Sequence, residues 1–151
     1  MNKNIERLYQ IANKQERLII GLMSGTSLDG LDVALCQFQD SGVDTKIKLV
    51  QFETVAFTDD FKQEVKSIFS KKNIDLEKLT VLNAWIAATH ANIINTCLQK
   101  WNLKSSDIDL IASHGQSVYH APKSLHCIDN FPNATLQIGD GDHLSVKTGI
   151  I

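Results

Sequence analysis

Arg17 to Phe38 read RLIIGLMSGTSLDGLDVALCQF, and this stretch constrains the fold more than any other. Two apolar runs, Leu18–Met23 and Leu31–Phe38, have the length and β-branched content of strands. They are joined by Ser-Gly-Thr-Ser-Leu-Asp-Gly. A third strand is expected around Ile47–Phe57 after the Ser41-Gly42 turn, making an antiparallel meander of the first three strands.

The link has chemistry as well as geometry. Gly25 and Gly30 allow a ligand to approach the backbone closely, and Ser24, Thr26 and Ser27 add hydroxyl donors beside the turn's amides, which is how proteins cradle phosphate. Gly25–Gly30 matches the G-x-x-x-x-G half of a Walker A loop, but Leu31-Asp32 stands where Lys and Ser or Thr are required. Ser27 lacks the closing glycine of a nucleophile elbow. Asp29 and Asp32 would repel bare phosphate, so a bound nucleotide calls for a divalent cation, with Mg²⁺ bridging Asp29 and the phosphates. A plain hairpin loop, with glycines for turn geometry and polar groups satisfying the backbone, fits the same residues.

Downstream, Thr58-Asp59-Asp60 caps a helix through about Ser70, and Asp75 caps a longer one. In the longer segment Leu79, Leu82, Ile86, His90, Ile93, Cys97 and Trp101 form one buried stripe, with His90 a satisfied core histidine. A short strand, Ile108–Ala112, leads into Ser113-His-Gly-Gln116, and another, Ala134–Ile138, into Gly139-Asp-Gly-Asp142. Both polar clusters then lie at carboxyl ends of strands, where open α/β sheets place ligands. His114 and Gln116 are read as hydrogen-bonding groups projecting into a cleft, able to contact sugar hydroxyls or an acetamido group. Asp140 either receives polar ligand groups or simply caps the following helix, Asp142–Lys147, which Thr-Gly-Ile-Ile stops before a further apolar strand. His114, His120 and His126 with Cys127 match no familiar zinc spacing.

Bulk properties exclude other classes. The chain has 151 residues, 43% of them hydrophobic, which suits one globular domain with a real core. A net charge of −2, with no basic run longer than Lys71-Lys72, argues against nucleic acid and anionic membranes as partners. The N-terminal MNKNIERLYQIANKQER is polar and helix-periodic, so a cytoplasmic, soluble protein is expected. Cys36, Cys97 and Cys127 are an odd number of thiols, read as reduced, small buried hydrophobes.

Taken in order, Gly21-Leu-Met-Ser-Gly-Thr-Ser-Leu-Asp-Gly-Leu-Asp32, Leu82-Asn83, Ser113-His-Gly-Gln116 with His120-Ala-Pro122, and Leu136-Gln-Ile-Gly-Asp140 closely resemble the anhydro-N-acetylmuramic acid kinase family. Ser117 departs from the threonine expected there and keeps the hydroxyl. The resemblance implies an actin-like ATPase (ribonuclease H-like) fold of the acetate and sugar kinase, Hsp70 and actin group, a mixed sheet with flanking helices in each of two lobes. It implies ATP and Mg²⁺ as cofactors and 1,6-anhydro-N-acetylmuramic acid as substrate. Water is added across the anhydro bond while O6 is phosphorylated, giving N-acetylmuramic acid 6-phosphate in cell-wall recycling.

By position, Gly25, Thr26, Ser27, Leu28, Asp29, Gly30, Leu31 and Asp32 would form the ATP phosphate loop. His114, Gln116 and Asp140 would lie at the sugar pocket, and a homodimer is compatible with the family. The family's catalytic aspartate, in D-F-R-x-x-D, and a glycine-rich stretch are expected beyond Ile151, so residues 1–151 read as the N-terminal part of a two-lobed kinase with an incomplete second lobe, inactive alone. Another sugar or acetate kinase of the superfamily, or a non-catalytic nucleotide-binding module, remain as alternatives.

Overall fold

Ile20 and Leu22 on one strand, and Leu31, Val33 and Leu35 on its neighbour, are each at most 5% exposed, while the residues between them reach solvent. That alternation is the period-2 signature of a sheet covered on one face. A computed structural model, describing residues 3–151, shows how the cover is built. Helix α1 (Lys3–Ala12) precedes β1 (Glu16–Ser24), β2 (Gly30–Gln39) and β3 (Lys46–Ala56). Helices α2 (Asp59–Ile68) and α3 (Leu76–Lys100) follow, then β4 (Leu110–Ala121), a single turn α4 (Lys123–His126), β5 (Ala134–Ile138) and α5 (Gly141–Thr148).

The sheet order is β3-β2-β1-β4-β5. β1–β2 and β2–β3 are antiparallel, the expected meander; β4 joins β1 in parallel, and β5 returns antiparallel to β4. The parallel pair needs a crossover, and α2 and α3 supply it. The result is the mixed α/β sheet with flanking helices that an actin-like ATPase lobe requires.

Local chemistry explains the helices. Thr58 accepts the Phe61 amide at 3.2 Å, and one Asp75 carboxylate oxygen accepts the Glu77 and Lys78 amides at 2.9 and 3.3 Å, closing orphan donors at each start. Helix α3 buries Leu82, Ile86, Ala87, His90, Ala91, Ile94, Cys97 and Leu98, a broader contact than one stripe. Each fully buried Leu or Ile contributes about 1.5–3 kcal/mol, so α3 is the main lid on the core. Helix α5 packs on α3, and α1 is tied on by Arg7, which donates to the carbonyls of Gly149 and Ile108 at 3.3 Å each. The expected N-terminal helix is α1; Met1 and Asn2 lie outside the described residues.

Three expectations need correction. Ser113-His-Gly-Gln116 does not follow a strand: β4 runs through it to Ala121, because β5 takes over the pairing from Gln116 onward. His90 is buried, yet its Nε2 has no hydrogen-bond partner among the described residues, so it is a core histidine that is not satisfied there. Cys97 is buried, but Cys36 is half-buried and Cys127 is exposed. At the far end, Ile150 is fully buried and the Ile151 carbonyl accepts from the Ile111 amide at 2.8 Å, beside the part of β4 that β5 does not reach.

Candidate functional site

Three motifs distant in sequence meet beside the end of β1. The first is the turn from Gly25 to Asp29. Its Leu28 has a left-handed backbone (φ 59°) and a side chain only 2% exposed, so a core contact holds a conformation that a leucine rarely adopts. Leu31 is also buried, which removes the side chains of Leu28 and Leu31 from contact with any ligand and leaves only their backbone. Thr26, Ser27 and Asp29 are exposed. At Gly30 an added Cβ would lie 2.5 Å from the Val55 carbonyl oxygen, so β3 fits against the turn only if residue 30 has no side chain.

The second motif is the β4 bulge. Leu22 pairs with Ser113 and Ser24 with Gln116, so β4 spends one extra residue opposite β1. Gly115 carries the bulge at φ 72°, and a Cβ there would sit 2.6 Å from the Ile138 carbonyl oxygen. The extra residue separates two side chains read as sugar contacts. His114 is exposed and shares a groove of about 570 Å³ on the open sheet face with Gly21, Met23, Asp32 and Phe52. Gln116 is fully buried on the opposite face, which corrects the expectation that it projects into a cleft. Its Oε1 accepts from the Ser24 hydroxyl, and its Nε2 donates to the carbonyls of Gly25 at 3.3 Å and Ser117 at 3.1 Å.

The third motif is the turn from β5 into α5. Asn83 of α3 accepts the Gly139 amide on Oδ1 at 2.7 Å, and its carbonyl accepts the Asp140 amide at 3.1 Å. Asp140 is the N-cap of α5, accepting the His143 amide and contacting the His143 ring Nδ1, each at 3.0 Å. The His143 amide, and then its ring, hold the Asp140 carboxyl below the ordinary carboxylate range. Asp140 does not line the groove that holds His114 and Asp32. Asp32 accepts a hydrogen bond from the Thr54 hydroxyl at 2.6 Å.

Ser24, expected among the hydroxyls beside the turn's amides, is 1% exposed and turned onto Gln116. The anchoring role of Asn83 goes beyond the expected site, and its signal in the sequence is a polar side chain next to Leu82, inside an apolar helix face, since such a group must find a partner.

The family model for anhydro-N-acetylmuramic acid kinase matches residues 17–151, which takes in all three motifs. This chain belongs to the anhydro-N-acetylmuramic acid kinase family. Among proteins bearing that name, the one from Pseudoalteromonas atlantica is 58% identical over the whole of this chain, which covers 38% of it. That from Pseudoalteromonas translucida is 51% identical over 99% of this chain, and that from Caldanaerobacter subterraneus 37% identical over 97%; 37% of each is covered. The chain therefore spans a little over a third of the length of these relatives.

A Mg²⁺ ion at the turn would need oxygen donors, and Thr26, Ser27 and Asp29 are the exposed side chains that carry them there. No group of three or more His, Cys, Asp or Glu converges among the described residues, so these offer no all-protein cage. Mg²⁺ does not need one: it commonly takes one or two carboxylates and completes its shell with water and phosphate oxygens. Asp29 is the exposed carboxylate of the turn.

Proposed function

We propose that the full-length protein phosphorylates 1,6-anhydro-N-acetylmuramic acid with ATP, opening the anhydro ring to give N-acetylmuramic acid 6-phosphate for cell-wall recycling. What carries this reading is the family match over residues 17–151 together with the turn it contains, held rigidly from below and open above. Gly25–Asp32 is the phosphate-binding turn: Thr26 and Ser27 offer hydroxyls, the backbone offers amides, and Asp29 would hold Mg²⁺, which would supply charge neutralisation for the phosphates. His114 and Asp140 are the sugar-side residues of this chain. None of its aspartates is assigned as the base that activates water. ATP as donor goes with a cytoplasmic location, and no helix among the described residues is long and apolar enough to cross a membrane.

The test is turnover of the full-length protein with the anhydro sugar, ATP and Mg²⁺, with acetate and a common hexose as competing acceptors. Formation of the 6-phosphate, with neither competitor consumed, is the expected result. Asp29→Asn should lower kcat by about tenfold or more and raise the Mg²⁺ requirement while leaving the unfolding midpoint in place, because its role is electrostatic. Unchanged turnover would remove Asp29 from the site.

A further inference from the structure

Strict alternation along β4 would place residue 116 on the same face as Ala112 and His114. The bulge at Gly115 reverses it, and Gln116 enters the core beneath the end of β1. There its two ends do different things. The carbonyl end accepts from the Ser24 hydroxyl, and the amide end donates to the carbonyls of Gly25 and Ser117. The peptide linking Gly25 to Thr26 is planar and, like every peptide bond among the described residues, not cis. A trans peptide points its C=O and N–H in opposite directions, so drawing the Gly25 oxygen inward turns the Thr26 N–H outward, toward the open side of the turn.

From this we infer that Gln116 is a positioning residue for the phosphate-binding turn: through Ser24 and the Gly25 carbonyl it presents the Thr26 amide to the phosphate of ATP, and it does not touch the sugar. The inference rests on the kinase reading above and assigns a different role to one of its residues. Preset donors are effective in catalysis because no reorganisation is needed when charge develops on the phosphoryl oxygens. A buried amide is also the economical device for this, since every one of its polar atoms must be paired and the pairs leave the side chain one orientation.

Ser24→Ala, Gln116→Met and the double variant, made in the full-length protein, test this with KM for ATP, KM for the anhydro sugar, kcat and the affinity for a non-hydrolysable Mg-ATP analogue. Gln116→Met should cost about tenfold or more in kcat/KM for ATP and in analogue affinity, with KM for the sugar within about twofold. Ser24→Ala should move the same constants in the same direction by less, and the double variant should be no worse than Gln116→Met alone, because the two residues act as one unit. Ser24→Thr, which keeps the hydroxyl, should restore the wild-type values. A raised KM for the sugar at constant KM for ATP would overturn the inference in favour of direct sugar contact. A lowered melting temperature with unchanged constants would overturn it in favour of a purely structural role. If Gln116→Met fails to fold, Ser24→Ala alone decides, since it removes a single bond. Wild-type protein that neither phosphorylates the anhydro sugar nor binds the analogue would sink the kinase reading itself, a result distinct from any difference between variants.

Discussion

Asn83 grips the turn after β5 at two successive residues, its side-chain oxygen accepting from Gly139 and its backbone carbonyl from Asp140. This is the link through which α3, the lid of the core, fixes the start of α5. Asn83→Leu should orphan the Gly139 amide and cost about 1–3 kcal/mol in urea unfolding, while Asn83→Asp keeps the acceptor and costs less. Equal stability of wild type and Asn83→Leu would show that this bond does not hold the turn.

Leu28 combines a buried side chain with a left-handed backbone, so the turn is held by burial against its own conformational preference. Leu28→Ala should destabilise the protein by about 2–5 kcal/mol and loosen the turn, weakening Mg-ATP in the full-length protein. Leu28→Gly relieves the backbone but loses the same contacts. If calorimetry found either variant binding Mg-ATP as wild type does, burial of Leu28 would not be what shapes the turn.

His90 lies in the core stacked with Phe57 at 6.0 Å between ring centroids, and burial lowers its pKa from 6.5 to about 4. The folded state therefore keeps this imidazole neutral where the unfolded chain binds a proton. Stability contributed above pH 6.5 should be lost progressively as pH falls to about 4, by about 3 kcal/mol in all, and no further below that. His90→Phe should flatten this part of the stability profile in denaturation followed from pH 8 to pH 4. An unchanged slope would assign the acid sensitivity to other groups.

The sheet face opposite α3 carries Met23, Ile47, Leu49 and Phe52, each 50% exposed or more. Apolar surface of this extent binds hydrophobic dyes or other protein surface. The 151-residue chain should enhance anilinonaphthalene sulfonate fluorescence, and Leu49→Lys with Phe52→Lys should reduce that enhancement by about half or more without changing the far-UV spectrum. Enhancement that survived both substitutions would place the dye elsewhere.

What was legible in the sequence was whatever short-range pattern encodes. The apolar runs Leu18–Met23 and Leu31–Phe38 set the first hairpin, Thr58 and Asp75 marked two helix starts, and the turn between the first strands showed its glycines, hydroxyls and carboxylates. Ser113-His-Gly-Gln116 was recognisable as a motif, but its side chains could not be aimed.

Aiming them depends on a pairing of strands that lie far apart in the chain. Whether Gln116 faces outward or into the core turns on one extra residue of β4 in its pairing with β1, at Gly115. Likewise His90 reads as an ordinary core position by helical spacing, and only the packing of α3 against the sheet leaves its Nε2 unpartnered. The chain's own residues thus determined the elements and the chemistry of the turn, because period, caps and glycines act over a few residues. Tertiary structure decided which polar groups stay exposed and which are buried beneath the turn, because that choice is made by contacts between segments about ninety residues apart.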